Sequence, residues 1–135
     1  MHHLQLNFVA IVVCAVVLWL LGAVWYSPVL FAKPWMAMVN VPTVGKNKAM
    51  MKGMISSFLL DILLALVLAH VVRWSGAVSF GHGAFVGFLM WLGFFAAPAL
   101  PQGFYEGRPV KLFLINTGYM LVGLIILGGI LAVWV

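Results

Sequence analysis

Charge is scarce in this chain, and negative charge is almost absent. Its 135 residues hold seven Lys and Arg but only two carboxylates, Asp61 and Glu106. Soluble domains carry about 25% charged residues. Here the share is 7%, against 66% hydrophobic residues, and the mean hydropathy is +1.21. That balance excludes an ordinary water-soluble domain and implies a membrane protein. Cys14 is the only cysteine, so an intramolecular disulfide is excluded and no redox compartment follows. It reads as a small apolar residue in a packed helix. No HExxH, CxxC, Walker-type or GxGxxG pattern occurs. Paired-carboxylate catalysis would need Asp61 and Glu106 together. Glu106 falls in a loop, whereas Asp61, nine residues past Lys52, is expected ~13 Å deep in a helix. Cys14 has no histidine nearby on its own helix. The chain is therefore read as non-enzymatic, with no cofactor.

Long apolar runs are what the chain does have. Four of them, near residues 4–26, 53–72, 80–100 and 112–135, are each long enough to cross a hydrocarbon core of ~30 Å. The expectation is an all-α membrane protein in which residues 1–135 form a single bundle of four transmembrane helices, with a short interfacial segment after the first. The first run lacks a Lys/Arg-rich leader and a convincing small-residue cleavage site, and is expected to be retained as a helix. Lys33, Lys46, Lys48 and Lys52 lie between the first two runs, and Arg108 and Lys111 between the last two; only Arg73 lies on the opposite side. By the positive-inside rule, loops 27–52 and 101–111 are expected in the cytoplasm and both termini outside. The basic residues border spans and are sparse. Anionic lipid headgroups, rather than nucleic acid, are the expected partner.

The first run ends at Trp25-Tyr26-Ser27-Pro28, where proline forces a turn. Trp25 and Tyr26 suit the headgroup boundary. Residues 29–39, with Trp35, suit a short interfacial helix that tolerates Pro34 in its first turn. Residues 41–52 read as a mobile, solvated connection. In the second run Ser57, Asp61, Ala65 and Ala69 recur every four residues and share one small-residue face. His70 is about half a turn away around that helix and reads, with Arg73, as an outer-boundary residue. In the third run Gly83 and Gly87 form a GxxxG close-packing pattern that does not say whether its partner is internal or a second copy. The proline-rich stretch 97–101 is expected to end that helix, and Glu106 and Arg108 to pair locally in the loop beyond. In the fourth run Asn116 and Gly123 share a face expected to point into the bundle, where Asn116 makes an interhelical hydrogen bond. His2 and His3 beside a free amine would suit Cu(II) or Ni(II). They equally suit ordinary polar residues flanking a span, and no metal is assigned.

Asp61 stands out against this background. It is the one charge between Gly53 and Val72, and a carboxylate at bilayer depth costs ~3 kcal/mol on insertion scales. No Lys or Arg lies within the four runs to neutralise it, apart from Arg73 just past the second. It is expected to be neutral, bonded to a group such as Asn116, or matched by a cation from another chain. The leading expectation is a small channel- or transporter-like protein, with Asp61 as its ion- or proton-responsive group and Ser57 and Asn116 as polar neighbours. The alternative is an accessory or structural subunit of a larger membrane complex. Abundant Gly and Ala faces make a homo-oligomer or attachment to such a complex expected.

Several blocks resemble a bacterial family of small membrane proteins, domain-of-unknown-function family 1761. They are Asn7, the run from Gly22 to Pro28 (GAVWYSP), Phe31, Lys33 and Trp35. They continue in the runs from Gly87 to Phe94, from Tyr105 to Tyr119, and from Gly129 to Trp134. Ala32 stands where the family pattern has glycine. The resemblance implies a four-helix membrane fold in a bacterial inner membrane and brings no established activity.

Overall fold

The computed structural model describes residues 6–27, 30–38 and 46–134; His2, His3 and Pro28 lie outside the described residues. The helices are α1 (Phe8–Trp25), α2 (Ala32–Met38), α3 (Lys46–Ser75), α4 (Phe80–Met90), a π-helical segment (Trp91–Ala96), α5 (Ala97–Tyr105) and α6 (Val110–Val133). There is no strand among the described residues. The architecture is all-α, and four helical stretches are long and apolar enough to cross a membrane: Phe8–Trp25, Met50–Ser75, Phe80–Tyr105 and Val110–Val133. Helix is what such sequences must form in lipid, because it satisfies every backbone group within the segment.

The helix ends follow local chemistry. The Asn7 side chain caps α1 by accepting the Ala10 amide at 3.1 Å, and the Ser79 hydroxyl caps α4 through the His82 amide at 3.2 Å. Such caps satisfy donors that a helix start leaves free. Gly76 (φ +77°) follows α3 and Gly107 (φ +69°) precedes α6. Both occupy the left-handed region that glycine enters without a Cβ penalty.

Two expected boundaries are corrected. The expected connection 41–52 is already helical from Lys46. Lys46, Lys48, Ala49, Met50, Met51 and Lys52 are good helix formers, so α3 runs about two turns beyond the apolar stretch. The third run does not stop at its prolines either; helix continues to Tyr105. The π segment explains this. The Ala97 amide bonds to the Leu92 carbonyl five residues back, shifting the hydrogen-bond register. Pro98 then falls in the first turn of α5, where a missing N–H costs nothing. Pro101 remains inside α5.

Helix α6 is the hub, packing against α1, α3 and α4. Its approach to α4 is closest. A Cβ built on Gly83 would overlap the Gly128 carbonyl oxygen, and one on Gly87 the Leu124 carbonyl oxygen. The GxxxG face of α4 therefore meets α6 of the same chain. The core gathers Ala10, Cys14 and Leu18 of α1 with Ala65, Leu68, Ala69 and Val72 of α3 and Leu124, Leu127 and Leu131 of α6. Along α3, no described residue before Ala65 is buried; this half meets the bundle through Trp19 of α1, whose indole donates to the Met54 carbonyl at 3.2 Å and packs edge-on against Phe58.

Candidate functional site

One and a half turns of α6, from Ile115 to Tyr119, collect most of the polar contacts between helices. The Trp25 indole donates to the Ile115 carbonyl at 2.9 Å. The Tyr26 hydroxyl donates to Asn116 Oδ1 at 2.7 Å. The Trp91 indole, at the start of the π segment, donates to the Thr117 carbonyl at 2.8 Å. Tyr119 reaches the other way and donates to the Leu18 carbonyl at 3.0 Å. Thr117 is buried, and its hydroxyl is spent on the Phe113 carbonyl at 2.6 Å. Indole and phenol groups suit this work because each carries a large apolar ring and one polar handle.

Small residues make room for these rings. A Cβ on Gly22 would lie 3.2 Å from the Tyr119 hydroxyl, and one on Gly118 would lie 3.2 Å from the Trp25 ring. Each helix thus supplies a glycine for the other's aromatic, and the Tyr26–Asn116 bond closes the seam. Tyr26 also meets Trp35 edge-on at 5.3 Å and Tyr119 at 5.8 Å between ring centroids. Ser27 turns back to accept nothing from α6; its hydroxyl donates to the Val24 carbonyl at 2.6 Å. Trp25 and Tyr26 are therefore turned into α6, where the sequence suggested a border facing headgroups.

Asp61 stands on α3. It is partly buried and lies within electrostatic reach of the Tyr119 phenol. Its Oδ2 is buried and has no hydrogen-bond partner among the described residues. Asn116 does not serve it, because Asn116 Oδ1 is engaged by Tyr26. Ser57 does not join the cluster; it is exposed, and at that level α3 meets α1 through Met54 and Phe58 instead. Ala65 and Ala69 are buried in the core. Gly123 sits against Leu18, whose Cδ1 would be 2.5 Å from an added Cβ. The Asn116–Gly123 face of α6 thus meets α1.

Other polar residues lie away from this seam. His70 contacts the Leu66 carbonyl through Nδ1 at 2.8 Å. Arg108 Nε and Glu106 Oε2 form an exposed ion pair at 2.8 Å, as the loop sequence suggested. No group of three or more His, Cys, Asp or Glu suited to a metal occurs among the described residues.

Tyr119, Gly22, Gly118, Trp91 and Thr117 were missed as site residues by sequence reasoning. The available signal was the pairing of a small residue with an aromatic at short spacing on two different spans: Gly22 with Trp25 and Tyr26, and Gly118 with Tyr119. Nothing in either segment alone says that they interlock.

The architecture and this seam define a class: an all-α protein with four helices suited to crossing a membrane, knitted at one level by aromatic hydrogen bonds. The family model described as "Protein of unknown function (DUF1761)" matches residues 9–132, and the chain belongs to that family. No curated protein and no solved structure matches it.

Proposed function

We propose that this is a small multi-pass protein of a bacterial cytoplasmic membrane that moves or senses protons or small cations through Asp61. The observation behind the reading is the buried Asp61 Oδ2, which has no hydrogen-bond partner among the described residues. An intramembrane carboxylate is costly and is retained where it does something. Tyr119 lies within electrostatic reach of Asp61, and Tyr26 and Asn116 continue from Tyr119 as polar groups able to reorient. The Tyr26 and Tyr119 rings touch edge to face, and Asn116 borders a polar recess that also reaches Gln102, Glu106 and Arg108. Hydroxyl rotation along that series would offer Asp61 a route toward the loop end of the bundle. The distribution of Lys and Arg sets that end in the cytoplasm, with both termini outside, and attracts anionic lipids there.

The test is proton flux into liposomes carrying the wild-type protein or Asp61→Asn at equal incorporation. The expected result is flux in the wild type that falls at least tenfold in the variant. Equal flux, or none in either, rejects the reading.

A second reading, an accessory subunit or self-assembling protein, rests on a different observation. The half of α3 before Asp61 meets α1 at Trp19, through the Met54 carbonyl and Phe58, and is rich in exposed apolar residues, including Met50, Met54, Ile55 and Leu59. A helix from another subunit laid there would reach Asp61 with a cation or hydroxyl. Co-purification of one stoichiometric partner in mild detergent supports that reading. A monodisperse monomer under the same conditions counts against it.

A further inference from the structure

Two cavities lie end to end on one face of α6. The first is a recess of about 240 Å³ where α5 and the turn after it stand off α6. Its polar lining comes from Gln102, Glu106, Arg108 and Asn116. The second is an apolar groove of about 540 Å³ whose walls include Leu64 of α3, Met90 of α4 and Phe94 of the π segment, with Met120 and Leu124 of α6. Phe95 borders both. On α6 the lining passes from Phe113, Asn116 and Thr117 to Met120 and Leu124, a three-to-four-residue spacing that keeps one side of a helix. The cleft therefore runs ~17 Å along α6, from Phe113 to Leu124, polar at the loop end and apolar toward mid-span.

The π segment belongs to this design. Its register shift comes where the third span must change the face it shows to α6, between the close α4 contact and the open recess. The Trp91 indole holds the segment to the Thr117 carbonyl at 2.8 Å, so the opening begins at a fixed point.

We propose that this cleft binds one phospholipid with a phosphoethanolamine headgroup, its head in the recess and an acyl chain in the groove. The charges are complementary. Glu106 and Arg108 stand together, with Arg108 Nε on Glu106 Oε2 at 2.8 Å and Gln102 Nε2 donating to Glu106 Oε1 at 3.2 Å. The contact made through Nε leaves the terminal nitrogens of the guanidinium to hold a phosphate as a two-pronged donor. The Glu106 carboxylate retains lone pairs for a primary ammonium, which a quaternary choline headgroup lacks the N–H to use. Asn116, with Oδ1 committed to Tyr26, keeps its amide N–H groups for phosphate or ester oxygens. A purely anionic headgroup would leave Glu106 facing like charge. A bound lipid would also seal the side of the bundle next to Asn116, and this reading stands independently of proton movement through Asp61.

The experiment is native mass spectrometry of the full-length protein released from nanodiscs with equal parts phosphatidylethanolamine, phosphatidylglycerol and phosphatidylcholine. The wild type is expected to retain one phosphatidylethanolamine per chain over the other two. Glu106→Gln and Arg108→Gln, both at exposed positions, should each cut that preference by about tenfold, since a hydrogen bond to a charged group is lost. Ala99→Trp, which fills the recess wall, should lower retention of all three lipids; Met120→Trp replaces it if its thermal melt departs from wild type. Retention without headgroup preference, a preference for phosphatidylglycerol, or selectivity unchanged in the two charge variants overturns the proposal.

Discussion

Replacing Gly87 with alanine adds one methyl group at the tightest helix contact in the protein. An ideal Cβ there overlaps the Leu124 carbonyl oxygen and lies 2.7 Å from the carbonyl carbon. At Gly83 the added carbon overlaps the Gly128 carbonyl oxygen and lies 2.5 Å from the Ala132 Cβ. Favourable carbon contacts begin near ~3.5 Å, so α4 and α6 must move apart by roughly 1 Å. The obstructing atoms are mostly backbone and cannot swing aside. Overpacking of this kind costs ~1–3 kcal/mol. The same displacement stretches the Trp91–Thr117 bond, now 2.8 Å, adding ~0.6 kcal/mol, a typical value for an interhelical bond in a membrane. One separation relieves both clashes, so the double variant should cost less than the sum of the singles. Gly81→Ala and Gly93→Ala serve as controls, because an added Cβ at either meets nothing within 4 Å. Reversible unfolding in bicelles by steric trapping supplies the free energies. If Gly83→Ala and Gly87→Ala unfold like the controls, the two helices do not approach this closely and the argument fails.

Three further outcomes follow from the seam. A double-mutant cycle on Tyr26→Phe and Asn116→Leu should return a coupling near ~0.6 kcal/mol and below ~1.7 kcal/mol; zero coupling means the 2.7 Å bond does not hold in the bilayer. Tyr119→Phe should cost a similar ~0.6 kcal/mol, whereas Gly22→Val, which dislodges the ring, should cost ~1–3 kcal/mol. Equal effects would show that the ring is not seated on Gly22. Asp61→Asn should leave the isolated chain as stable or more stable, by up to ~3 kcal/mol, because it removes a charge whose Oδ2 has no partner among the described residues. Destabilisation by more than ~1 kcal/mol would instead reveal a partner for that oxygen.

The sequence by itself determined the class of fold and the position of its one anomalous charge. Runs of about 20 apolar residues admit only helices in lipid, and a carboxylate in their midst is conspicuous by simple scarcity. The glycine pair at Gly83 and Gly87 was equally visible, since a four-residue spacing puts both on one helix face. What a single helix cannot express is which neighbour that face meets. Tertiary structure decided that Gly83 and Gly87 press on α6, that Asn116 serves Tyr26 and not Asp61, and that Ser57 is exposed although it shares a stripe with Asp61. It also carried helix through Pro98, because a five-residue backbone bond ahead of it reset the register. The physical reason is common to the three contacts. Periodicity assigns a residue to a face, but contact depends on how far apart two helices stand at that height. That spacing is set by residues far apart in the chain, Gly83 against Gly128 between α4 and α6 and aromatics whose partners lie 90 or more residues away between α1 and α6.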